Sequence, residues 1–247
     1  MTTHLYCVLP TGTRTTIPPG LSGLAGERVR ALPVDGLVAW VSDVARDLPV
    51  SVDGVRAHDA VVEAALDTGS TPVPARFGQR FQDDDACRAA LANRATSVGS
   101  LLATMQGFVE MTLIITPSTR RMLRDLEPVL PEMLDASAPG RAYLESLRKR
   151  EAATGAVTDA INTLAAALEE AAGSLVRRAT VHQAITPLPL RTISHLIARE
   201  DVARYKEAIT GVRVGGEFRF LLIGPRAPYS FSALSDGGGA HGMKLAD

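Results

Sequence analysis

The side chains best suited to proton transfer or metal binding are few and scattered in this chain of 247 residues. Its histidines are His4, His58, His182, His195 and His241, and none has another ligand at metal-binding spacing. His58 lies on the apolar stripe of a predicted helix, which favours a hydrogen-bonded histidine at the core edge over a ligand or proton-transfer role. His182 and His195 fall on predicted neighbouring strands, could face each other and are interpreted as structural. The sequence therefore predicts no catalytic residue and no metal site.

Familiar catalytic and cofactor motifs are missing as well. The chain has no G-x-S-x-G, H-E-x-x-H, Walker A or C-x-x-C sequence. Gly20, Gly23 and Gly26 have the wrong spacing for a dinucleotide turn and are interpreted as a loop. The aspartates at 83–85 suit the positive end of a helix dipole better than a calcium loop, which needs oxygens at alternating positions over a longer stretch. No cofactor is predicted.

The segment TPVPARFGQRF, residues 71–81, combines arginines with aromatic residues between an extended piece and a helix. In a structural interpretation, Phe77 and Phe81 fill the core while an arginine binds the acidic start of the next helix. In a functional interpretation the segment docks another chain, because arginine and aromatic residues are favoured at interfaces. The candidate partner-binding residues in this segment are Arg76, Phe77 and Arg80.

A second aromatic segment, GPRAPYSF at residues 224–231, follows the last predicted strand. Pro225 and Pro228 favour an extended backbone here. Tyr229 and Phe231 are expected to cover a sheet edge or the seam between two domains. Tyr229 completes the set of candidate partner-binding residues.

The first half of the chain predicts a compact α+β domain that would position the first of these segments. Asp35-Gly36 is a strong two-residue hairpin signal between two of its strands. The order of elements predicts a ferredoxin-like domain over residues 1–118, with helices covering one face of an antiparallel sheet. Its predicted elements are strands at 5–9, 28–34 and 37–42, a helix at 53–69, an extended piece at 72–77, a helix at 83–107 and a strand at 108–115.

The second half, residues 119–234, predicts a helical segment joined to a further α+β domain. Mixed charge is dense at 120–150, and Ala, Leu, Glu and Arg then favour a long helix. A hairpin is expected about Gly215-Gly216, and the tail at 235–247 is expected to be disordered. The predicted elements are a helix at 141–178, strands at 180–185 and 190–198, a helix at 201–210 and hairpin strands at 211–214 and 218–223.

Charge and composition exclude several classes of protein. The formal net charge is -1 and aromatic residues make up 4%, so neither phosphate neutralisation nor base stacking points to a nucleic-acid partner. No apolar run is long enough to cross a membrane. Cys7 and Cys87 are expected to be reduced thiols of a cytoplasmic protein. A charge near zero lowers the electrostatic cost of docking on another protein.

Taken in order, these segments resemble the gas vesicle protein F/L family. The resemblance covers residues 4–232 and begins with HLYCVLP and the hairpin strand at 37–41. It continues through the helix with His58, the segment PVPARFGQRF, the acidic helix start and the strand FVEMTLII. It closes with EFRFLLIGPRAPYSF, in which Arg226 and Ala227 stand where the family tends to have Trp and Pro.

The resemblance implies a non-enzymatic accessory protein, associated with gas vesicles in the cytoplasm, that supports their nucleation or formation. It implies a modified ferredoxin-like N-terminal domain, a C-terminal α+β domain with long helices, and contact with the shell protein and other accessory proteins. A sheet edge or apolar groove would hold the aggregation-prone shell subunit. Two alternatives stay open: a small-molecule enzyme on a ferredoxin-like scaffold that uses His58, Arg76 and Asp83, and a regulatory module that senses a ligand between its domains.

Overall fold

The computed structural model describes residues 1–12, 16–121, 140–182 and 189–232. Over these residues the chain forms two compact units. The first comprises Met1–Gln106 and the described residues from Ala227 onward, and the second comprises Gly107–Arg226. Each unit contains an antiparallel sheet and helices, so the predicted α+β class is confirmed.

The first unit begins with the predicted strand, hairpin and helix. Its sheet has the strand order β2-β3-β1-β4, β5 also pairs with β1, and every pairing is antiparallel. Asp35 and Gly36 both have positive φ, as a two-residue hairpin of this kind requires. The bounds are β1 Thr2–Pro10, β2 Arg30–Val34, β3 Leu37–Val44, α1 Val52–Asp67, β4 Val73–Pro74, β5 Arg80–Phe81, α2 Asp84–Ala92 and α3 Ala95–Met105.

Helices cover both faces of this first sheet, which corrects the expectation of one covered face. Tyr6, Leu9 and Trp40 pack with α1 on one face, whereas Leu5 and Val8 pack with α2 and α3 on the other. The run LYCVL in β1 is buried throughout. Because successive side chains of a strand point to opposite faces, a fully apolar strand needs cover on both sides.

The helix predicted over 83–107 is two helices in the structure. α2 ends before Asn93, and Arg94 leaves the helical region with φ −118° and ψ 8° before α3 begins. Cys87 in α2 and Val98 in α3 nevertheless belong to the same core cluster. The apolar stripe therefore continues across the break, and no glycine or proline marks it in the sequence.

The second unit is a four-stranded antiparallel sheet with the strand order β7-β8-β6-β9. Both of its described long helices pack on one face, where Val109, Met111, Leu113 and Ile115 of the central strand are buried. The bounds are β6 Phe108–Pro117, α4 Gly140–Ala172, β7 Val176–His182, β8 Arg191–Ala198, α5 Val202–Gly211 and β9 Phe218–Arg226.

Two predicted elements of the second half need correction. The hairpin about Gly215-Gly216 does not form, because β9 pairs with the distant strand β6 and residues 212–214 are not a strand. The long helix ends at Ala172, and Gly173, with φ +46°, leads into a short turn before β7. β7 thus begins before the expected strand at 180–185, of which residues 183–185 lie outside the described residues.

The two units also divide the chain differently from the predicted boundary at 118. The strand expected at 108–115 in the first domain is β6, which pairs with β8 and β9 in the second sheet. Residues 227–232, expected in the second domain, are part of the first unit. Contacts between segments that are far apart in the chain decide both points, and local patterns do not report such contacts. The tail expected at 235–247 lies outside the described residues.

Candidate functional site

Five aromatic rings converge on one side of the first sheet, and we call His4, Tyr6, His58, Phe77 and Tyr229 the aromatic cluster. The His4 ring centroid lies 4.8 Å from that of Tyr6 and 5.2 Å from that of His58. The rings of Phe77 and Tyr229 approach that of His58 to 5.8 and 6.5 Å. The two aromatic segments singled out in the sequence therefore meet at His58.

Helix α1 and an irregularity in β1 position this cluster. Ser51 caps α1 by accepting a hydrogen bond from the backbone N–H of Gly54, and His58 lies on the buried stripe of the helix with Val61 and Val62. The register of β1 against β3 shifts at Tyr6. The extra residue of such a bulge changes which side chains share a face, and Tyr6 lies on the α1 side of the sheet.

His4 and His58 form a buried, hydrogen-bonded pair of neutral imidazoles. Nε2 of His58 lies 3.1 Å from the carbonyl oxygen of Ala75, so this nitrogen carries the proton and donates. Nδ1 of His58 must then accept from Nε2 of His4, 2.9 Å away. Burial, the neighbouring His58 and the Arg80 guanidinium lower the pKa of His4 to about 3, and burial also lowers the pKa of His58. The expected hydrogen-bonded role of His58 is confirmed.

Tyr6 anchors the loop that precedes β2. Its hydroxyl accepts a hydrogen bond from the backbone N–H of Leu24 at 2.8 Å and lies 2.7 Å from Oγ of Ser42. A Cβ on Gly23 would lie 2.0 Å from that hydroxyl, so only glycine fits this close approach. Gly23 thus serves the packing of a loop around a buried phenol, in agreement with the loop interpretation of this glycine-rich segment.

The structure separates the four candidate partner-binding residues into different environments. Phe77 and Tyr229 are half-buried members of the aromatic cluster, and Arg76 is exposed. Arg80 is half-buried, and its guanidinium donates to the carbonyl oxygens of Arg46 and Leu48 at 3.2 and 2.9 Å. Arg80 therefore holds the loop after β3 in place, whereas the exposed Arg76 is available to solvent.

The arginine that binds the acidic helix start is Arg30, which the sequence did not single out. Its guanidinium donates to both carboxylate oxygens of Asp84 at 2.7 and 2.8 Å and to Asp43 at 2.7 Å. These bonds lower the pKa of Asp84, which also accepts from the Thr3 hydroxyl. The interpretation that Arg76 or Arg80 fills this role is wrong, because Arg30 reaches Asp84 from the neighbouring strand β2.

The residues considered for an enzyme are not gathered into one site. His58 is buried in the α1 layer, whereas Asp83 caps α2 on the other face of the sheet by accepting from the N–H of Ala86 at 2.8 Å. The acidic triplet is thus a helix start, as predicted. Over the described ranges no group of three or more metal-binding side chains comes together. Cys7 and Cys87 are both free and buried.

The two histidines of the second unit lie on neighbouring strands, but they do not face each other. His195 is buried with Nδ1 2.7 Å from the hydroxyl of Tyr205 on α5. His182 is exposed and contacts Ser194, whose side chain points to the opposite face from that of His195. Burial lowers the pKa of His195 to about 4. Both histidines make hydrogen bonds, which agrees with a structural role.

Ser194 lies between an imidazole and a carboxylate, an arrangement that the sequence did not reveal. Its hydroxyl donates to Oε1 of Glu110 at 2.8 Å and lies 2.9 Å from Nε2 of His182. Thr112 donates to the same carboxylate oxygen at 3.2 Å. In a catalytic triad the carboxylate is hydrogen-bonded to the histidine. Here the carboxylate of Glu110 accepts from Ser194 instead, and Ser194 is only 1% exposed. We therefore interpret Ser194 and Glu110 as a buried polar network with Thr112 and His182 at its margin.

None of the described helices combines the length and apolar character that a membrane span needs.

In sequence, the chain is 27% identical to gas vesicle protein L of Streptomyces sp. (strain CB03234) over 241 residues, 89% of each chain. It is also 27% identical to gas vesicle protein F of the same organism over 244 residues, which cover 94% of this chain and 99% of that protein.

Solved structures show the same fold. The crystal structure of the gas vesicle protein GvpF from Anabaena sp. PCC7120 matches with a TM-score of 0.73 at 17% identity, over 95% of this chain and 99% of that one. GvpF from Microcystis aeruginosa matches with a TM-score of 0.71 at 20% identity, over 94% and 99%. The family model for the gas vesicle synthesis protein GvpL/GvpF matches residues 2–233. The chain therefore belongs to the GvpL/GvpF family of gas vesicle synthesis proteins.

Proposed function

We propose that this chain is a non-enzymatic accessory protein of gas vesicle formation that binds the shell protein in the cytoplasm. Membership of the GvpL/GvpF family supports the gas vesicle role. The proposal that the chain binds the shell protein rests on one observation. The segments that contain Phe77 and Tyr229 meet at His58. Both aromatic residues are half-buried, and the exposed Arg76 directly precedes Phe77. We call Arg76, Phe77 and Tyr229 the docking surface.

Hydrogen bonds fix the backbone of this surface before a partner arrives. The backbone N–H of Gln79 closes a turn on the carbonyl of Arg76, and that of Tyr229 bonds to the carbonyl of Ala227. Arg80 holds the neighbouring loop through two carbonyl oxygens. A preorganised surface of arginine and aromatic side chains loses little conformational entropy on binding, which favours affinity for an apolar subunit. In this proposal Arg80 is a positioning residue.

Co-purification of the shell protein with the tagged full-length chain tests the proposal. Arg76→Glu and Tyr229→Ala should each reduce the retained shell protein by about tenfold, since interface anchors of these types carry much of the binding energy. Arg56→Glu is the matched control: Arg56 lies on α1 of the same unit with 76% of its side chain exposed, outside the docking surface. This control should retain as much shell protein as the unmodified chain.

Vesicle formation in cells that carry the same variants provides the second readout. Arg76→Glu cells should form fewer vesicles than Arg56→Glu cells, provided that circular dichroism shows equal folding of both proteins. If Arg76→Glu and Tyr229→Ala retain the shell protein and support vesicles as well as the unmodified chain does, the docking surface is wrong. If the unmodified chain retains no shell protein at micromolar concentration, the partner itself is wrong.

A further inference from the structure

Strand β1 places His4 beside Arg80 of the short strand β5, and the two residues are cross-strand partners in a regular register. Next to them, the backbone N–H of Leu5 donates to the carbonyl of Gln79 at 3.1 Å. This bond makes His4 and Arg80 a non-hydrogen-bonded pair, in which the Cα atoms lie about 4.5 Å apart and the side chains share one face. The imidazole of His4 and the aliphatic stem of Arg80 are therefore neighbours.

One ring nitrogen of His4 is a buried acceptor that lacks a hydrogen bond. Nε2 of His4 donates to His58, whose other nitrogen donates to the carbonyl of Ala75. A neutral imidazole carries one proton, so Nδ1 of His4 has a lone pair and can only accept. His4 is 0% exposed, and among the described residues no donor lies within hydrogen-bond distance of this nitrogen.

Arg80 supplies the complementary atom, a buried donor that also lacks a hydrogen bond. Its two terminal nitrogens donate to the carbonyl oxygens of Arg46 and Leu48, which fixes the position of the guanidinium. The N–H on Nε is buried, and no acceptor in the described part of the chain reaches it. Buried polar atoms without a partner are rare in folded proteins, and ordered water commonly supplies the hydrogen bond.

The chemistry of these two atoms selects the ligand that can lie between them. A metal ion would bind the lone pair of His4, but the positive charge of Arg80 would repel it. An anion would accept from Arg80, but it has no proton to donate to His4. A neutral molecule that both donates and accepts satisfies both atoms, and water is the smallest such molecule.

We propose that one buried water molecule bridges His4 and Arg80, donating to Nδ1 of His4 and accepting from the N–H on Nε of Arg80. The bridge completes a chain of hydrogen bonds that all point the same way. The chain begins at the guanidinium of Arg80 and passes through the water to His4. From His4 it continues through His58 to the carbonyl of Ala75. Hydrogen bonds in such a chain polarise and strengthen one another.

This water site goes beyond the docking surface, because it requires nothing of the shell protein and can exist whether or not that protein binds. It also gives the buried histidine pair a role in the fold. The chain of hydrogen bonds connects the loop after β3, which Arg80 holds, to the segment that begins at Ala75. The bridge therefore ties three separate parts of the first unit together.

A crystal structure of the full-length chain, at a resolution that shows ordered water, tests the bridge directly. A water peak should lie about 2.7–3.2 Å from both Nδ1 of His4 and Nε of Arg80. Crystals soaked in bromide should show no anomalous signal there. A bromide signal would identify an anion site instead. A direct hydrogen bond between the two side chains, or well-ordered side chains with no density between them, would overturn the bridge.

Nuclear magnetic resonance tests the same bridge in solution. The Cε1 proton of His4, which is next to Nδ1, should show a nuclear Overhauser effect to bound water. Arg80→Lys keeps the charge but has no nitrogen at the Nε position. This variant should lose the effect, and the ¹⁵N resonance of Nδ1 should move toward that of an imidazole nitrogen without a hydrogen bond. The matched control is Arg76→Lys, which changes an exposed arginine of the neighbouring segment and should alter neither signal.

The two variants separate the bridge from a general effect of changing an arginine. If Arg80→Lys keeps the water signal and the Nδ1 resonance of the unmodified chain, Arg80 does not hold the water and the bridge is wrong. If Arg80→Lys fails to fold, the unmodified chain still decides, because absence of the water signal from its Cε1 proton would overturn the site.

Discussion

The two sheets bury their central strands in different ways. In the first sheet β1 is apolar along most of its length, and helices pack on both faces. In the second sheet β6 alternates: its odd-numbered residues from 109 to 115 are fully buried against helices, and Glu110 and Thr112 join a polar network on the other face. An unbroken apolar run thus corresponds to an apolar core on both faces, which we call two-sided. Alternation of apolar and polar residues, interrupted by Ile114, corresponds to an apolar core on one face and a polar network on the other, which we call one-sided.

The largest expected difference concerns substitutions of large apolar residues by alanine. Leu5→Ala and Leu9→Ala should each lower the free energy of unfolding of the first unit by about 2–5 kcal/mol, since both are fully buried on opposite faces. In the second unit Leu113→Ala should cost a similar amount, but Ile114→Ala on the polar face should cost about 1 kcal/mol. Urea unfolding followed by Trp40 fluorescence reports on the first unit, and amide hydrogen exchange in β6 reports on the second.

Equal costs for Leu113→Ala and Ile114→Ala would contradict the one-sided description of the second sheet. A cost below about 1 kcal/mol for either leucine of β1 would contradict the two-sided description of the first.

Acid should lower the stability of each unit through a buried histidine of that unit. The pKa values of His4, about 3, and of His195, about 4, lie below the unfolded value of 6.5. The unfolded chain therefore binds more protons as the pH falls below 6.5, so stability is complete above that pH and declines toward the folded pKa values. His4 and His195 should each remove about 2.5 kcal/mol of stability between pH 7.5 and pH 4.5.

The variants His4→Phe and His195→Phe assign these losses to one sheet or the other. His4→Phe should flatten the pH dependence of urea unfolding seen by Trp40 fluorescence, and His195→Phe should leave that signal unchanged. For hydrogen exchange in the second unit, His195→Phe should flatten the pH dependence and His4→Phe should leave it unchanged. If His4→Phe keeps the pH dependence of the unmodified chain, His4 is not the group that resists protonation.

The polar network of the second sheet should respond to loss of its acceptor. Glu110→Ala leaves the hydroxyls of Ser194 and Thr112 without their shared carboxylate, which should cost about 1–3 kcal/mol. Glu110→Gln keeps an acceptor oxygen and should cost less than half as much. Hydrogen exchange in β6 and β8 measures both changes, and equal costs would show that the hydroxyl bonds contribute little.

Local patterns predicted the α+β class and most elements, because periodicity and turn residues report on short stretches of chain. The Asp35-Gly36 hairpin and the stripe of α1 are examples. They did not predict the pairing of β6 with β9 or the return of residues 227–232 to the first unit, since these depend on contacts between distant segments. For the same reason the sequence marks Phe77 and Tyr229 as separate features but does not predict that they meet at His58.

The partners of the buried polar residues were the hardest part to predict. Arg30 looked like an ordinary residue of an edge strand, yet it binds Asp43 and Asp84 from β3 and α2. His4 carried no signal beyond its residue type, and its pairing with His58 follows from β1 lying beside α1. A mixed strand such as TTHLYCVLP, with a histidine ahead of an apolar run, indicates only that a buried polar contact is needed.

The smallest expected effect tests whether the polar face of the second sheet tolerates apolar residues. Thr112→Val is close in volume and removes one hydroxyl, which lies 3.2 Å from Glu110 and 3.1 Å from Ser194. Ser194 still donates to the carboxylate, so the loss should be about 0.5–1.5 kcal/mol by hydrogen exchange in β6.

Ser42→Ala is the counterpart in the first sheet, since it removes a hydroxyl 2.7 Å from that of Tyr6. That phenol keeps the backbone N–H of Leu24 as donor, so the cost should be similar when followed by Trp40 fluorescence. A much larger cost for Ser42→Ala would mean that a two-sided core depends on its few hydrogen bonds more than a one-sided core does.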